Sequence, residues 1–180
     1  MKKLGLLALL ITTYNSLAFA QINNFLLNEE GKVVWQKIYE TNYTYNELYN
    51  HVINCGTFEG INGDGTSRIT CKIVRGKVDY RNLGFEWGDL PLLVTASDIN
   101  CFAIIQVKDG RYRVTVDNFS LTENTTRGLF KEGTEDRFEQ IAVKKGTFSK
   151  SFIGNTSTLY DKYLTNIFTL VDKSYIDDEW

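Results

Sequence analysis

Residues 101–121 constrain this chain's architecture more than any other stretch. Two alternating runs, Cys101–Lys108 and Arg111–Leu121, flank Asp109-Gly110. Asp-Gly between such runs is a strong signal for a two-residue hairpin turn, because glycine takes the positive φ that the turn needs. The turn fixes the register and pairs Val107 with Tyr112, Ile105 with Val114, and Ala103 with Val116. All six then lie on one side. The other side carries Gln106, Lys108, Arg111, Arg113, Thr115 and Asp117, with Phe102 and Ile104 among them. One buried face and one wet face is the usual arrangement of an antiparallel sheet.

Other segments extend this plan. Lys32–Glu40, after a short lead-in closed by Gly31, reads as a strand rich in β-branched and aromatic residues. Thr44 and Glu47 form a T-x-x-E capping box, with Tyr43 and Leu48 placed as a hydrophobic staple. Tyr45, Leu48, Tyr49, Val52 and Ile53 then recur at helical spacing, and Gly56 is the stop. Residues 59–67 read as a loop. A second hairpin is expected from Arg68–Val74 and Lys77–Leu83 around Arg75-Gly76, pairing Ile73 with Val78 and Cys71 with Tyr80. Residues 123–154 read as a polar insertion, with a marginal hairpin around Phe138–Phe148 turning at Lys145-Gly146. A last helix is expected over 156–173, capped by Asn155 or Thr156. Its stripe is Leu159, Tyr160, Tyr163, Leu164, Ile167, Phe168 and Val171. The acidic tail Asp177-Asp178-Glu179-Trp180 follows. The sum is a two-layer α+β domain, β-α-β-β-β-β-α, with about five antiparallel strands and both helices on one face.

The N-terminus reads as an export signal. Lys2 and Lys3 precede an apolar run, Leu4–Ile11, and Ala18-Phe19-Ala20 is a small-x-small cleavage site. The run is too short to span a bilayer, which needs roughly 20 residues. Cleavage near Ala20-Gln21 leaves a single domain, residues 21–180, in the periplasm or outside the cell. No cysteine follows the cleavage point closely, the first being Cys55, so no lipid anchor is expected, nor any membrane span. The whole chain carries a net charge of −2. It becomes more acidic once two lysines leave with the signal, a poor balance for binding nucleic acid.

The pattern resembles a family. Val34-Trp35-Gln36-Lys37, the helix 44–58 with Glu47-Leu48-Tyr49, and the hairpin from Gln106 to Phe119 with its Lys-Asp-Gly-Arg-Tyr-Arg-Val are similar to a domain of unknown function in exported proteins and lipoproteins of Bacteroidetes. The likeness covers residues 32–122, and 156–173 would match the family's final helix. It implies a TATA-binding-protein-like fold. It implies no activity, since the family brings no established catalytic residues. This chain lacks the cysteine that lipidates the lipoprotein members.

Chemical motifs are absent. There is no G-x-S-x-G elbow, Walker loop or H-E-x-x-H. Cys55, Cys71 and Cys101 with the single His51 have no zinc-ligand spacing, so neither a metal nor a cofactor is expected. An odd cysteine count leaves at least one thiol unpaired. Asn62, Asp64 and Thr66 alternate as in a calcium loop, but Ser67 and Ile73 stand where its glycine and glutamate belong. His51 falls off the helical stripe, as a solvated residue would.

Two functional classes follow, beside a third possibility, a structural partner that pairs through an open sheet edge, for which the strand Val33–Tyr39 is either an edge or central. The first is a non-enzymatic binding domain for a protein, peptide or glycan of the envelope. Its candidate residues are Arg111, Arg113, Gln106, Phe102 and Thr115 on the wet face, plus Trp87 in the loop 84–89. Phe85 and Trp87 are expected to close the bottom of the core instead, and a buried Trp87 would remove that loop as a binding surface. The alternative is a carboxylate-dependent hydrolase of envelope or dietary polymers, which requires two acids converging in one cleft.

Overall fold

The structure is a computed structural model, and it describes residues 21–124 and 131–170. The proposed signal 1–20 and the acidic tail lie outside them. The elements, in order, are β1 (Phe25–Leu27), β2 (Val33–Glu40), α1 (Tyr45–Asn54), β3 (Glu59–Gly63), β4 (Arg68–Gly76), α2 (Leu92–Thr95), β5 (Ser97–Lys108), β6 (Arg111–Glu123), β7 (Glu135–Arg137), α3 (Glu139–Ala142), β8 (Val143–Lys144), β9 (Thr147–Phe148) and α4 (Ser157–Phe168).

The fold class is as expected, an α+β domain with α1 and α4 packed on one face of an antiparallel sheet. The sheet is wider than expected. Among the described residues it has seven strands in the order β1-β2-β6-β5-β4-β3, with β7 also pairing β6. The β5–β6 hairpin takes the register that Asp109-Gly110 dictates, Val107↔Tyr112, Ile105↔Val114 and Ala103↔Val116. Gly110 has φ +70°.

The other hairpin is different. Lys77–Leu83 is not a strand. β4 pairs β5 instead, with Cys71 opposite Ala103 and Ile73 opposite Cys101, so the expected pairs Ile73–Val78 and Cys71–Tyr80 do not form. Arg75 at φ +49° breaks the ladder between Ile73 and Gly76 and turns the chain out of the sheet. The second hairpin is β3–β4, so the segment 59–67 is a strand followed by a tight turn. Gly63, the last residue of β3, is a glycine for a packing reason. A β-carbon there would run into the rings of Tyr45 and Tyr49, which stack on each other 5.9 Å apart.

The capping box of α1 forms. Thr44 N–H donates to Glu47 Oε2 at 2.7 Å, and Glu47 N–H to Thr44 Oγ1 at 3.4 Å. Leu48 and Val52 are buried, but Ile53 is exposed and does not belong to the core. α4 ends at Phe168, short of the expected residue 173. Neither Asn155 nor Thr156 caps it. A kinked turn over Phe152–Thr156, with Gly154 at φ +102°, leads into it, and Ser157 Oγ donates back to Gly154 O. Within 123–154 the turn at Lys145-Gly146 joins the two-residue strands β8 and β9.

The core lies between the sheet and the two helices. Trp35 is fully buried and stacks on Phe168 at 6.1 Å, and Phe58 also stacks on Phe168, at 5.2 Å. Trp35 Nε1–H donates to Asp161 Oδ1 at 2.8 Å, which satisfies the indole and ties α4 to β2. Tyr112 Oη donates to the Phe168 carbonyl at 2.7 Å and accepts the Leu170 N–H at 3.2 Å.

Candidate functional site

Because both long helices pack on one face, the other face of the sheet stays open. Strand parity decides what it shows. Tyr112, Val114 and Val116 point into the core, so Arg111, Arg113, Thr115 and Asp117 point away from it. Cross-strand partners form rows. One row runs Ile38, Arg113, Gln106, Arg68, and the next runs Gln36, Thr115, Ile104, Thr70. A third sets Asp117, Phe102 and Lys72 side by side.

A cleft of about 490 Å³ lies on this face, lined by Ile38, Ser67, Gln106, Val107, Lys108, Arg111 and Arg113. Three cations line it and no carboxylate does. Lys32 pairs with Glu30 and Arg75 with Asp98. Lys108, Arg111 and Arg113 are in neither pair, although Glu40 stands opposite Arg111 in the ladder. Arg113 is oriented, because its Nε and Nη2 both donate to Gln106 Oε1, at 3.1 and 2.6 Å. That glutamine separates Arg113 from Arg68 by two strand spacings, about 10 Å, where repulsion through water is about 0.4 kcal/mol. Ile38 is 56% exposed and supplies an apolar wall.

Of the six residues expected at a site, the structure brings Arg111, Arg113 and Gln106 together. Thr115 and Phe102 lie on the same face, half-buried and further along their strands. Thr115 Oγ1 is held by Gln36 Nε2 at 3.0 Å. Trp87 is elsewhere, in the loop before α2, and it is 60% exposed. It does not close the core as expected. Phe85 alone does so, half-buried under Lys162 Nζ, which lies 5.0 Å from the ring centroid. Lys108 and Ile38 complete the cleft. Their positions on alternating strands gave the signal, since Ile38 has the parity opposite to Val33 and Trp35.

On the helix side, a groove of about 750 Å³ is lined by His51, Asn54, Cys55, Lys77, Asp79 and Tyr163, among others. All three cysteines are free thiols, Cys55 exposed and the other two buried. Burial pushes the Cys71 thiol up to about 12 and the Cys101 thiol higher still. Both are inert as nucleophiles at neutral pH.

Asp64 is a turn residue. Its Oδ1 accepts the backbone N–H groups of Thr66, Ser67 and Arg68, which hold its carboxyl far below the usual range. Asp117, on the open face, is shifted upward by burial against a weaker opposing pull from Lys32. No group of three or more His, Cys, Asp or Glu side chains among the described residues could hold a metal ion. These two clefts and two others among the described residues are each lined by at most one carboxylate, Asp79, Asp109 and Glu135 each standing alone in its cleft. No described helix is long and apolar enough to cross a membrane.

No family model and no curated protein matches this chain. Among solved structures it is similar to a TBP-like protein from Parabacteroides distasonis, with a TM-score of 0.46 and 13% identity over 78% of this chain and 90% of the other. It is also similar to a DUF4468 family protein from Bacteroides ovatus, with a TM-score of 0.44 and 12% identity over 78% of this chain and 84% of the other. The first is described as TBP-like and the second as a member of a domain-of-unknown-function family, and both come from Bacteroidetes.

Proposed function

We propose that this protein is an exported, non-catalytic binding domain that holds its ligand on the open face of the sheet. One observation carries the reading. The face that the helices leave uncovered holds a cleft whose lining has three cations and no carboxylate, and none of the three cations is in an ion pair with a described residue. In a chain of net charge −2, such a concentration suits an anionic ligand. The apolar wall at Ile38 and the fixed guanidinium of Arg113 add shape and direction to that charge.

Export rests on the tripartite N-terminus. The protein recovered from its cell should begin at Gln21, and a chain that retains Met1 refutes the signal reading. Binding is tested by passing envelope extract over the immobilised protein and over Arg111→Ala/Arg113→Ala. The parent should retain material that the double variant does not. Equal retention by the two proteins refutes the open-face reading.

A further inference from the structure

We infer that the outer edge of β2, beside the cationic cleft, takes an extended acidic segment of another polypeptide as an added strand. The inference rests on the open-face reading and names the partner for that site.

The backbone parity of β2 is fixed at both ends. Gln36 N–H donates to Asn24 O at 2.9 Å, on the β1 side. Thr41 N–H donates to Gly110 O at 3.0 Å, on the β6 side. The N–H groups of Gln36, Ile38 and Glu40 therefore all point outward, and those of Lys37 and Tyr39 point to β6. β1 covers only the start of this edge, since its ladder ends with Phe25 opposite Trp35. The chain before β1 does not continue along β2. Ile22 and Phe25 bond to each other through both backbone groups, and Asn23 at φ +54° closes the turn between them. Among the described residues, no strand pairs Lys37–Glu40 on this side.

An open edge of this kind is a template for strand addition. It borders the cleft directly, because Ile38 pairs with Arg113 and Glu40 with Arg111 across the β2–β6 ladder. A strand added outside β2 would place alternate side chains on the open face. Those side chains would be one strand spacing, about 4.8 Å, from Ile38 and two from the arginines. An acidic side chain opposite Ile38 would reach past it to Arg113, whereas one opposite Glu40 would meet that carboxylate before Arg111. Glu40 and Asp109 stand at the rim without forming an ion pair, so the free charge inside remains positive. The backbone edge favours a polypeptide over an anionic polysaccharide, because a glycan has no N–H and C=O ladder to offer it.

The test uses the purified protein and a capped eight-residue peptide of alternating valine and glutamate, followed by calorimetry at low salt. Three changes should each weaken binding at least about tenfold, which corresponds to about 1.4 kcal/mol. They are Arg111→Ala/Arg113→Ala, methylation of alternate peptide nitrogens, and Ile38→Pro. The proline removes an outward N–H, a tolerated place for proline in an edge strand, together with the Ile38 side chain from the wall of the cleft, so an Ile38→Ala control separates the two. A thermal melt shows whether the proline variant folds, and the methylated peptide tests the edge with the protein untouched. A methylated peptide that binds as tightly as its parent overturns the strand addition. Polygalacturonate bound through the same arginines, with the peptide not bound, overturns the inference and leaves the open-face reading standing. Binding of either probe that survives the arginine substitutions overturns both.

Discussion

Replacing Tyr112 by Phe tests the division of labour between the two faces of β6. The hydroxyl is the only part removed, and the ring keeps its stack on Tyr39 at 4.9 Å and 8°. Tyr112 is 2% exposed, so water does not replace what is lost. Two hydrogen bonds go, to the Phe168 carbonyl and from the Leu170 N–H. Both groups lie at the C-terminal end of α4, where a helix has run out of intrahelical partners for its last carbonyls. Each bond contributes about 1 kcal/mol net, and a buried group left unpaired costs about 1–3 kcal/mol. The variant should lose about 2–3 kcal/mol. For a domain of this size that is a fall in Tm of roughly 5–10 °C.

Urea unfolding gives the number, with a lower midpoint at an unchanged slope. Amide exchange at Leu170 gives the mechanism, because its protection should fall. Ligand retention should not change, since Tyr112 points to the core while Arg111 and Arg113 point to the open face. A loss below about 0.5 kcal/mol with Leu170 still protected would refute the claim that this hydroxyl ties α4 to the sheet. A full loss of ligand in a folded variant would refute the separation of faces.

Trp87→Ala should shift stability by no more than about 0.5 kcal/mol, as exposed positions do. Trp35→Ala should cost about 3–5 kcal/mol; acrylamide should quench the fluorescence that the first substitution removes and spare what the second removes. A thiol reagent should label Cys55 alone in the native protein, and Cys71 and Cys101 only after denaturation, which mass spectrometry of the labelled peptides reads directly. Stability should fall as pH rises above about 9, measured by urea midpoints. Cys71 ionises near 9 when unfolded but near 12 when folded, so the folded state binds more protons in that window. Burial pushes the Tyr39, Tyr160 and Tyr163 hydroxyls upward too, with the same sign. A midpoint unchanged between pH 8 and pH 11, chosen to span that window, would refute the assignment.

The local features of this fold were legible and the non-local ones were not. The β5–β6 hairpin declared itself because its turn and its alternation are contiguous in sequence, and the α1 capping box for the same reason. The partner of β4 could not be read this way. Val78 and Tyr80 alternate well enough for a strand, yet β5 competes for the same edge with seven registered pairs. β3, Glu-Gly-Ile-Asn-Gly, has almost no strand propensity. It is a strand because β4 has a free edge and because Gly63 lets two tyrosines lie close. Tertiary context decides in both cases.

The same reasoning sorts the site. Arg111, Arg113 and Gln106 were readable because hairpin register places them on the face opposite Tyr112 and Val114. Ile38 required knowing that β2 pairs β6, a contact across more than seventy residues. The edge of β2 is more hidden still, since it depends on where β1 stops and which way Asn23 turns the chain. Exposure of Trp87 was misread for a related reason. An aromatic loop shows no periodicity, so nothing local tells which of Phe85 and Trp87 meets the core. The parts of the site that sequence conceals are those made by strand order, and strand order is also what leaves the cationic cleft beside an unpaired edge.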